Sequence, residues 1–327
     1  MFELWNDNNS DTVEGCKDPH IIVVGAGAMG CYFGGILLQA GHQLTFIDVD
    51  QYTIEAINHQ GLILETDAGQ CTVLATAALA KNVQKPADLV VLFTKTLHTE
   101  AAMASIHHLL TPNTVILSLQ NGLGNAEKIA KYHDKSRIAI GTTLVPADLQ
   151  APGHVVSHGP SSSRLMDVNT QSPDWVDALV TLLNKAGLNT ERDLDIHSVV
   201  WSKVAFNAAL NAISAVAGAT PGQIGSIDYS VELARNIVHE TCLVGQATGI
   251  VLDEAYIWKT VEMAMQSHPN HKPSMMQDIE HGRETEIEAI NGAIVASGEQ
   301  LGVATPVNQT LYQLVKLKEF IVKDTPA

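Results

Sequence analysis

The stretch that decides the fold is IIVVGAGAMGCYFGGILLQAG, which runs from Ile21 to Gly41. It reads as a short β-branched strand, a glycine turn and an apolar helix. Gly25, Gly27 and Gly30 form the pattern G-x-G-x-x-G directly after the strand and at the head of the helix. The first glycine permits a tight turn, the second lets the backbone approach a pyrophosphate, and the third allows close helix–strand packing. In this context the pattern predicts a dinucleotide site.

The residues between these glycines belong to the same predicted site. Ala26, Ala28 and Met29 lie in the turn and at the start of the helix. Because backbone N–H groups at a helix N-terminus bind phosphate, we expect these residues to contact the cofactor too.

Further strand patterns follow this stretch along the chain. They are LTFIDVD, ADLVVLFTK, TVILSLQNGLG and RIAIGTTLV, with helical stretches between several of them. Buried, non-alternating strands that alternate with helices predict an α/β fold with a doubly wound parallel sheet of the Rossmann type. After about Asp195 the strand signals fade and long helical patterns dominate. We therefore predict a polar N-terminal extension over 1–20, a dinucleotide-binding domain over 21–194 and an all-helical substrate and catalytic domain over 195–327.

Three polar residues follow predicted strands, where ligands bind in this architecture. Asp48 closes the second strand, at the distance where an acidic residue binds the ribose 2′-hydroxyl of NAD; a solvated turn aspartate is the alternative reading. Lys95 follows the third strand and can contact cofactor or substrate. Asn121 follows the fourth strand and can hydrogen-bond the nicotinamide or its ribose. On spacing alone, Lys95 and Asn121 can equally be ordinary loop residues.

Composition narrows the class of protein. The 327 residues suffice for two domains, and 46% hydrophobic with 17% charged residues is typical of a globular chain. A formal net charge of −16 argues against a nucleic-acid partner, which needs a basic surface. The cysteines have no metal-ligand spacing and indicate reduced thiols in a cytoplasmic protein; they are Cys16, Cys31, Cys71 and Cys242. We expect no metal, no signal peptide and no apolar run long enough to span a membrane.

The segment WSKVAFNAALNAISAVAG, which begins at Trp201, is apolar except for a few positions. Lys203, Asn207 and Asn211 recur every four residues, so they fall within roughly 80° of one another on a helix. They form either a helix edge that faces water or a polar stripe that lines a cleft and brings Lys203 to a substrate.

Together these pieces resemble the ketopantoate reductase (2-dehydropantoate 2-reductase) family. The resemblance runs from about Ile21 to the last predicted helix. It rests on GAGAMG, LFTKTLHTEAA, SLQNGLGN, GTTLVPADLQAPGHV, WSKVAFNAALNAISAV and, most specifically, SMMQDIEHGRETEIEAINGAIVASGEQLGVATPVNQTLYQLV. The resemblance implies reduction of 2-dehydropantoate to (R)-pantoate with NADPH, on the route to pantothenate and coenzyme A.

The resemblance also implies roles for individual residues. Lys203 would donate the proton to the substrate ketone, and Glu286 would hold the lysine and the substrate and lie beside the cofactor. The remaining implied substrate contacts are Asn207, Asn211, Asn121 and Ser274, the last of them to the carboxylate. Position and resemblance together predict cofactor contacts outside the glycine turn at Asp48, Lys95, Asn121, Ala147 and Glu286. Asp278 is a candidate for a supporting role.

Two positions depart from the family pattern. Val49 stands where most members carry an arginine for the 2′-phosphate, so Asp48 and Val49 favour NAD(H), with NADP(H) as the family-typical alternative. Pro221 stands where the family often has an asparagine that touches the substrate. Both departures suit the runner-up reading, an NAD-dependent D-2-hydroxyacid dehydrogenase for branched or aromatic 2-keto acids.

A more distant reading is a non-catalytic nucleotide-sensing protein. Such a sensor has no need for Lys203, Asn207, Asn211 and Glu286 together, and measuring NAD(P)H oxidation with ketopantoate would separate it from the enzymes. The expected partners are a small anionic 2-keto acid and, in a homodimer, a second copy of the chain.

Overall fold

The computed structural model describes residues 18–324, and nearly all of the predicted extension lies outside them. Two compact units divide the chain. The first comprises the described residues up to Gln120 together with Asn125–Ile196, and the second comprises Asn121–Gly124 together with the described residues from His197 onward.

The first unit contains all the described strands. In chain order they are β1 (Ile21–Val24), β2 (Leu44–Ile47), β3 (Leu62–Thr66), β4 (Gly69–Val73), β5 (Thr76–Ala78), β6 (Leu89–Leu92), β7 (Val115–Ser118), β8 (Ile138–Leu144), β9 (Ala147–Ala151), β10 (His154–Ser157), β11 (Ser162–Asp167) and β12 (Thr190–Arg192). The α-helices between them are α1 (Ala28–Gln39), α2 (Gln51–Gln60), α3 (Thr99–Ile106), α4 (Asn125–Ile129) and α5 (Asp174–Lys185).

The main sheet has eight strands in the order β12-β11-β8-β7-β6-β1-β2-β5. All neighbours are parallel except β8 and β11. Every residue of β1, β6 and β7 is buried, because helices cover a doubly wound sheet on both faces. The predicted α/β Rossmann-type fold is confirmed. The strand order reverses between β1 and β6, which is where ligands bind in open sheets of this kind.

A second, four-stranded sheet was not predicted from the sequence. Its order is β4-β3-β10-β9, and only β3 and β10 are parallel neighbours. Helix α1 packs between the two sheets. A Cβ added at Gly34 would lie 2.3 Å from the Phe46 ring, and one added at Gly35 would lie 2.9 Å from the Leu62 side chain. Both faces of α1 are therefore buried, which explains why its sequence is apolar all round.

The second unit is helical within the described residues. Its α-helices are α6 (Ile196–Ala217, which begins one residue earlier), α7 (Pro221–Gly225), α8 (Asp228–Ala247), α9 (Glu254–Ser267), α10 (Ser274–Glu280), α11 (Ala293–Leu301) and α12 (Pro306–Asp324). A π-helical turn, Glu288–Gly292, leads into α11.

Helix α6 corrects one expectation from the sequence. Its 22 residues are long and apolar enough to cross a membrane, which the sequence reading had not recognised. Its apolar window is, however, 67% buried inside the structure. The apolar composition follows from its position in the core of the second unit, where residues such as Val204, Ala208 and Leu210 are buried.

The short segment Asn121–Gly124 groups with the second unit, although the sequence division left it in the first domain. The N–H of Leu123 donates to the carbonyl of Ala289 at 2.8 Å. Gly122 has φ +85°, and a Cβ there would lie 2.6 Å from the Ala289 carbonyl oxygen. Only glycine allows this close approach in that backbone conformation.

Candidate active site

The glycine turn has the geometry that a pyrophosphate requires. Gly25 has φ +97°, and a Cβ there would lie 2.9 Å from the Thr94 nitrogen. A Cβ at Gly30 would lie 1.8 Å from the Gly25 carbonyl oxygen, so the third glycine keeps α1 close to the turn. Gly27 is the N-cap of α1, and a Cβ there would meet nothing within 4 Å. The space beside Gly27 and the N-terminus of α1, with Ala28 and Met29 in its first turn, fit a dinucleotide.

Asp48 faces the glycine turn. Its Oδ2 accepts a hydrogen bond from the Ala26 N–H at 2.6 Å, and its Oδ1 accepts from the N–H groups of Val49 and Asp50 at 2.7 and 2.9 Å. An ionised carboxylate offers about four acceptor positions, so these donors leave about one for a further hydroxyl. Val49 is 91% exposed and offers no side-chain donor.

Cys31 holds the same turn from the helix side, which the sequence reading did not foresee. Its thiol donates to the Ala26 carbonyl at 3.1 Å. Burial, together with the charge of Asp48, raises the pKa of the Cys31 thiol to about 12, so it stays a neutral donor. A lone cysteine in an apolar helix carries no sequence signal for this role.

Lys95 is half-buried and is the N-cap of a short 3₁₀ turn, Thr96–His98, that follows β6. The loop around it is held by Gln120, whose amide donates to the Thr94 carbonyl at 2.7 Å and to the Thr99 hydroxyl at 2.9 Å. Gln120 was not singled out from the sequence, although it stands next to Asn121.

Ala147 belongs to a different sheet from the strand that precedes this loop. It is the first residue of β9 in the four-stranded sheet, paired with Ser157, and its N–H donates to the Val145 carbonyl at 3.0 Å. Its predicted cofactor contact stays a prediction.

In the second unit, Lys203 lies on α6 and is partly buried. Burial lowers the pKa of its ammonium group from 10.5 to about 8, and the negative charge of Glu286 opposes that shift. A lysine whose pKa lies near neutrality can both give up and regain a proton during turnover.

Glu286 interacts with Asn121 through a hydrogen bond and with Lys203 through its charge. The Asn121 amide donates to Glu286 Oε2 at 3.2 Å. The Glu286 carbonyl accepts from the Ala289 and Ile290 N–H groups at 3.0 and 3.1 Å, at the entrance to the π-helical turn. π-helical turns recur at functional sites because they aim side chains that a regular helix would place elsewhere.

A buried asparagine ties this turn to α6. Asn291 is fully buried, and its amide donates to the Ala208 carbonyl at 3.4 Å and to Asn308 Oδ1 at 3.1 Å. Asn291 could not be predicted from the sequence, because nothing in its spacing separates it from a surface amide.

Asn207 and Asn211 follow Lys203 along α6 and are 8% and 7% exposed. Within residues 18–324, neither side-chain amide makes a hydrogen bond. Buried amides normally have partners, so these two can bind polar groups of a ligand.

Three further residues that the sequence analysis named lie on helices α7 and α10 of the second unit. Ser274 is exposed and begins α10. Asp278 on the same helix is buried and pairs with Arg283 Nε at 2.9 Å. Pro221 is the first residue of α7, after the N-cap Thr220, a position that suits proline without any role in binding.

No group of three or more metal-ligating side chains occurs in the described part of the chain. The cysteines within it, Cys31, Cys71 and Cys242, are free, whereas Cys16 lies outside the described residues.

The chain is similar to known proteins over most of its length. The family described as "Ketopantoate reductase PanE/ApbA" matches residues 21–169, and "Ketopantoate reductase PanE/ApbA C terminal" matches residues 195–319. The 2-dehydropantoate 2-reductase of Streptococcus pyogenes is 31% identical over 303 residues, which cover 92% of this chain and 98% of the relative. That of Pyrococcus horikoshii is 34% identical over 299 residues, which cover 91% and 97%.

Solved structures show the same similarity. A ternary structure of D-mandelate dehydrogenase with NADH and anilino(oxo)acetate has a TM-score of 0.89 at 31% identity, covering 93% of this chain and 99% of the other. A PanE/ApbA family ketopantoate reductase from Ralstonia eutropha has a TM-score of 0.86 at 29% identity, with the same coverage.

Proposed function

The chain belongs to the ketopantoate reductase family, and from that premise we propose that it reduces ketopantoate to (R)-pantoate with a nicotinamide cofactor. The step belongs to pantothenate biosynthesis. The observation that carries the proposal is Lys203, a partly buried lysine with a pKa of about 8 beside Glu286. It is the proton donor that reduction of a ketone needs.

The chemistry divides between the two units. The glycine turn with Asp48 holds the dinucleotide in the first unit, and a bound reduced nicotinamide supplies a hydride. As the ketone carbon is reduced, negative charge builds on its oxygen, which the Lys203 ammonium stabilises and then protonates. Glu286 keeps Lys203 from losing its proton too early, because its charge raises the pKa of the lysine.

The rest of the polar set binds the substrate. Asn207 lies one helical turn, about 6 Å, from Lys203, and Asn211 lies about 12 Å away along α6. We assign Asn207 to the groups next to the ketone and Asn211 to the distal end of the acid. Asn121 and Ser274 complete the binding set, with Ser274 toward the carboxylate.

A second candidate function is an NAD-dependent D-2-hydroxyacid dehydrogenase. The similarity to D-mandelate dehydrogenase favours it. So do the two departures from the family pattern, Val49 and Pro221, together with Asp48. The two candidates share Lys203 and Glu286 and differ in the substrate's side chain.

Initial rates with a panel of 2-keto acids test both candidates. Ketopantoate, a branched aliphatic keto acid and an aromatic keto acid are each compared with NADH and with NADPH. The highest kcat/KM for ketopantoate supports the first candidate, and the highest value for another keto acid supports the second. No oxidation of either cofactor with any member of the panel would contradict both.

The cofactor preference is a finer proposal. Asp48 faces the glycine turn with acceptor capacity left, which suits the ribose hydroxyls of NAD(H). Its charge would repel a 2′-phosphate by roughly 1–4 kcal/mol. At 1.4 kcal/mol per factor of ten, we expect NADH to bind about fivefold to several hundredfold more tightly than NADPH.

Titration of the apo-protein with each cofactor tests that preference. The double variant Asp48→Ala, Val49→Arg should shift the preference toward NADPH. Tighter binding of NADPH to the wild-type protein would show that Asp48 does not select against the phosphate, and the NADP-dependent reading would replace this one.

We further propose a cytoplasmic homodimer. The described cysteines are all free, and a net charge of −16 does not suit a nucleic-acid partner. One side of α12 exposes apolar side chains that a second copy can cover; they are Leu314, Leu317, Phe320 and Ile321. Light scattering should give twice the monomer mass, and Phe320→Glu should reduce it toward the monomer. A monomer at all concentrations would contradict the dimer.

A further inference from the structure

The segment that carries Glu286 is anchored by a buried carboxylate on α12. Thr285 precedes Glu286, and its N–H and its hydroxyl both donate to Glu319 Oε1 at 2.7 Å. Thr285 is 3% exposed and Glu319 is 7% exposed. A carboxylate is rarely buried this far unless hydrogen-bond donors satisfy it. The hydrogen bonds from Thr285 therefore allow Glu319 to be buried.

The second oxygen of Glu319 is also satisfied. Lys316 Nζ lies 2.9 Å from Glu319 Oε2, one turn back along α12. Burial alone would raise the pKa of Glu319, but the hydrogen bonds from Thr285 and Lys316 leave it below the usual value. Glu319 is therefore ionised at neutral pH, and hydrogen bonds to an ionised acceptor are the stronger kind.

The anchor extends past Glu286 on its other side. The Ile287 N–H donates to the Thr285 hydroxyl at 3.2 Å, so Thr285 both donates to Glu319 and accepts from the residue after Glu286. The Glu286 carbonyl accepts from Ala289 and Ile290 in the π-helical turn. The backbone of Glu286 is thus fixed on both sides, while its carboxylate accepts a hydrogen bond from Asn121 and its charge acts on Lys203.

We infer that Glu319 is a positioning residue for the reaction, acting through Thr285 to hold the segment that carries the Glu286 carboxylate in place. The inference rests on the proposed function, in which Lys203 is the proton donor. Glu319 itself touches neither substrate nor cofactor in this scheme.

The first test is the pH profile of kcat/KM for keto-acid reduction in Glu319→Ala. Glu286 raises the pKa of Lys203, so a displaced Glu286 lets that pKa fall. The alkaline limb of the profile, which is the pH range where kcat/KM declines, should then begin below pH 8. At neutral pH, kcat/KM should fall about ten- to a hundredfold, which is the effect of a small misplacement of a catalytic group. Glu319→Gln keeps an oxygen that accepts from Thr285, so it should recover most of the loss.

A matched control comes from the neighbouring surface pair. Lys323 on α12 pairs with Glu284, and both side chains are 50% exposed. Lys323→Ala therefore removes a tie between the same two segments without touching Thr285. It should leave the position of the alkaline limb unchanged, and kcat/KM should stay within about twofold of the wild-type value.

A milder variant covers the case in which Glu319→Ala does not fold, as judged by circular dichroism and thermal melting. Thr285→Val removes only the hydroxyl and keeps the backbone hydrogen bond to Glu319. It should shift the limb in the same direction by less, and Thr285→Ser should restore it.

The outcomes separate this inference from the proposed function. If Lys203→Ala and Glu286→Gln lose activity but folded Glu319→Ala and Thr285→Val keep the wild-type limb, the positioning role is wrong and the function stands. If Lys203→Ala keeps full turnover, the proposed function itself fails.

Discussion

Lys203 is a partly buried charged residue on a helix that lies mostly in the core. That combination has a cost in stability, because a charged group loses hydration when it is buried. The cost makes sense if the lowered pKa is used in the reaction.

Lys203→Ala should lower kcat for keto-acid reduction by at least about a hundredfold, which is the usual contribution of a general acid. Cofactor affinity should barely change, since the glycine turn is untouched. Steady-state rates and cofactor titration measure the two effects. Lys259→Ala, at an exposed position on α9, is the control and should turn over normally. Near-normal turnover of Lys203→Ala would remove this residue from the chemistry.

The pH dependence should reverse with the direction of the reaction. Reduction needs protonated Lys203, so kcat/KM should be constant below pH 8 and fall tenfold per pH unit above it, because the pKa is about 8. Oxidation of the hydroxy acid needs the neutral amine, so its kcat/KM should rise up to about the same pH. Profiles measured in both directions check the sign. Matching limbs in both directions would point to a different titrating group.

The glycine turn between β1 and α1 contains glycines that differ in their surroundings. Gly30 is required by packing, whereas Gly27 faces open space. The same sequence pattern therefore contains one glycine that packing requires and another that only the proposed cofactor site requires.

Gly30→Ala and Gly27→Ala should separate these roles. A Cβ at Gly30 would strike the Gly25 carbonyl oxygen at 1.8 Å, so the free energy of unfolding should fall by about 3 kcal/mol or more. Gly27→Ala has an allowed φ of −75° and no clash, so stability should change by less than about 1 kcal/mol. Its cofactor affinity should nevertheless drop at least about tenfold, as the methyl group occupies the pyrophosphate's approach. Urea unfolding and cofactor titration measure both. Normal affinity in Gly27→Ala would mean that the cofactor does not approach this turn.

The parts of the structure that could be predicted from the sequence are those that depend on residues close together in the chain. The glycine turn and its flanking strand and helix could be predicted because they follow one another without interruption from Ile21 to Gln39. The four-stranded sheet was not, since β3 and β10 pair across ninety or so positions and their neighbours are largely exposed. Glu319 was invisible for a similar reason, because its role depends on Thr285, 34 positions earlier in the chain.

The two units differ in what they contribute, and the division is not a single cut in the chain. Lys203, Asn207, Asn211 and Glu286 all lie in the second unit, and the glycine turn lies in the first. Ligand binding should therefore leave separate footprints on the two.

Hydrogen exchange followed by mass spectrometry should show those footprints. NADH should slow exchange in peptides that cover β1 and the start of α1. A hydroxy-acid product added with the cofactor should further slow exchange around the π-helical turn. Peptides of α9 are the control and should not change. Protection by NADH confined to the second unit would contradict the assigned cofactor site.

Asn121 and Glu286 are separated by 165 positions, although they share a hydrogen bond. On a ribosome that adds about 5–20 residues per second, roughly 8–33 seconds pass between the synthesis of one and the other. During that interval the strands of the main sheet have all been made, while Asn121–Gly124 still awaits the Ala289 carbonyl that holds it. The capacity to bind a dinucleotide can thus arise early in the life of the nascent chain. On the proposed function, the capacity to transfer a proton arises only after the π-helical turn has been translated.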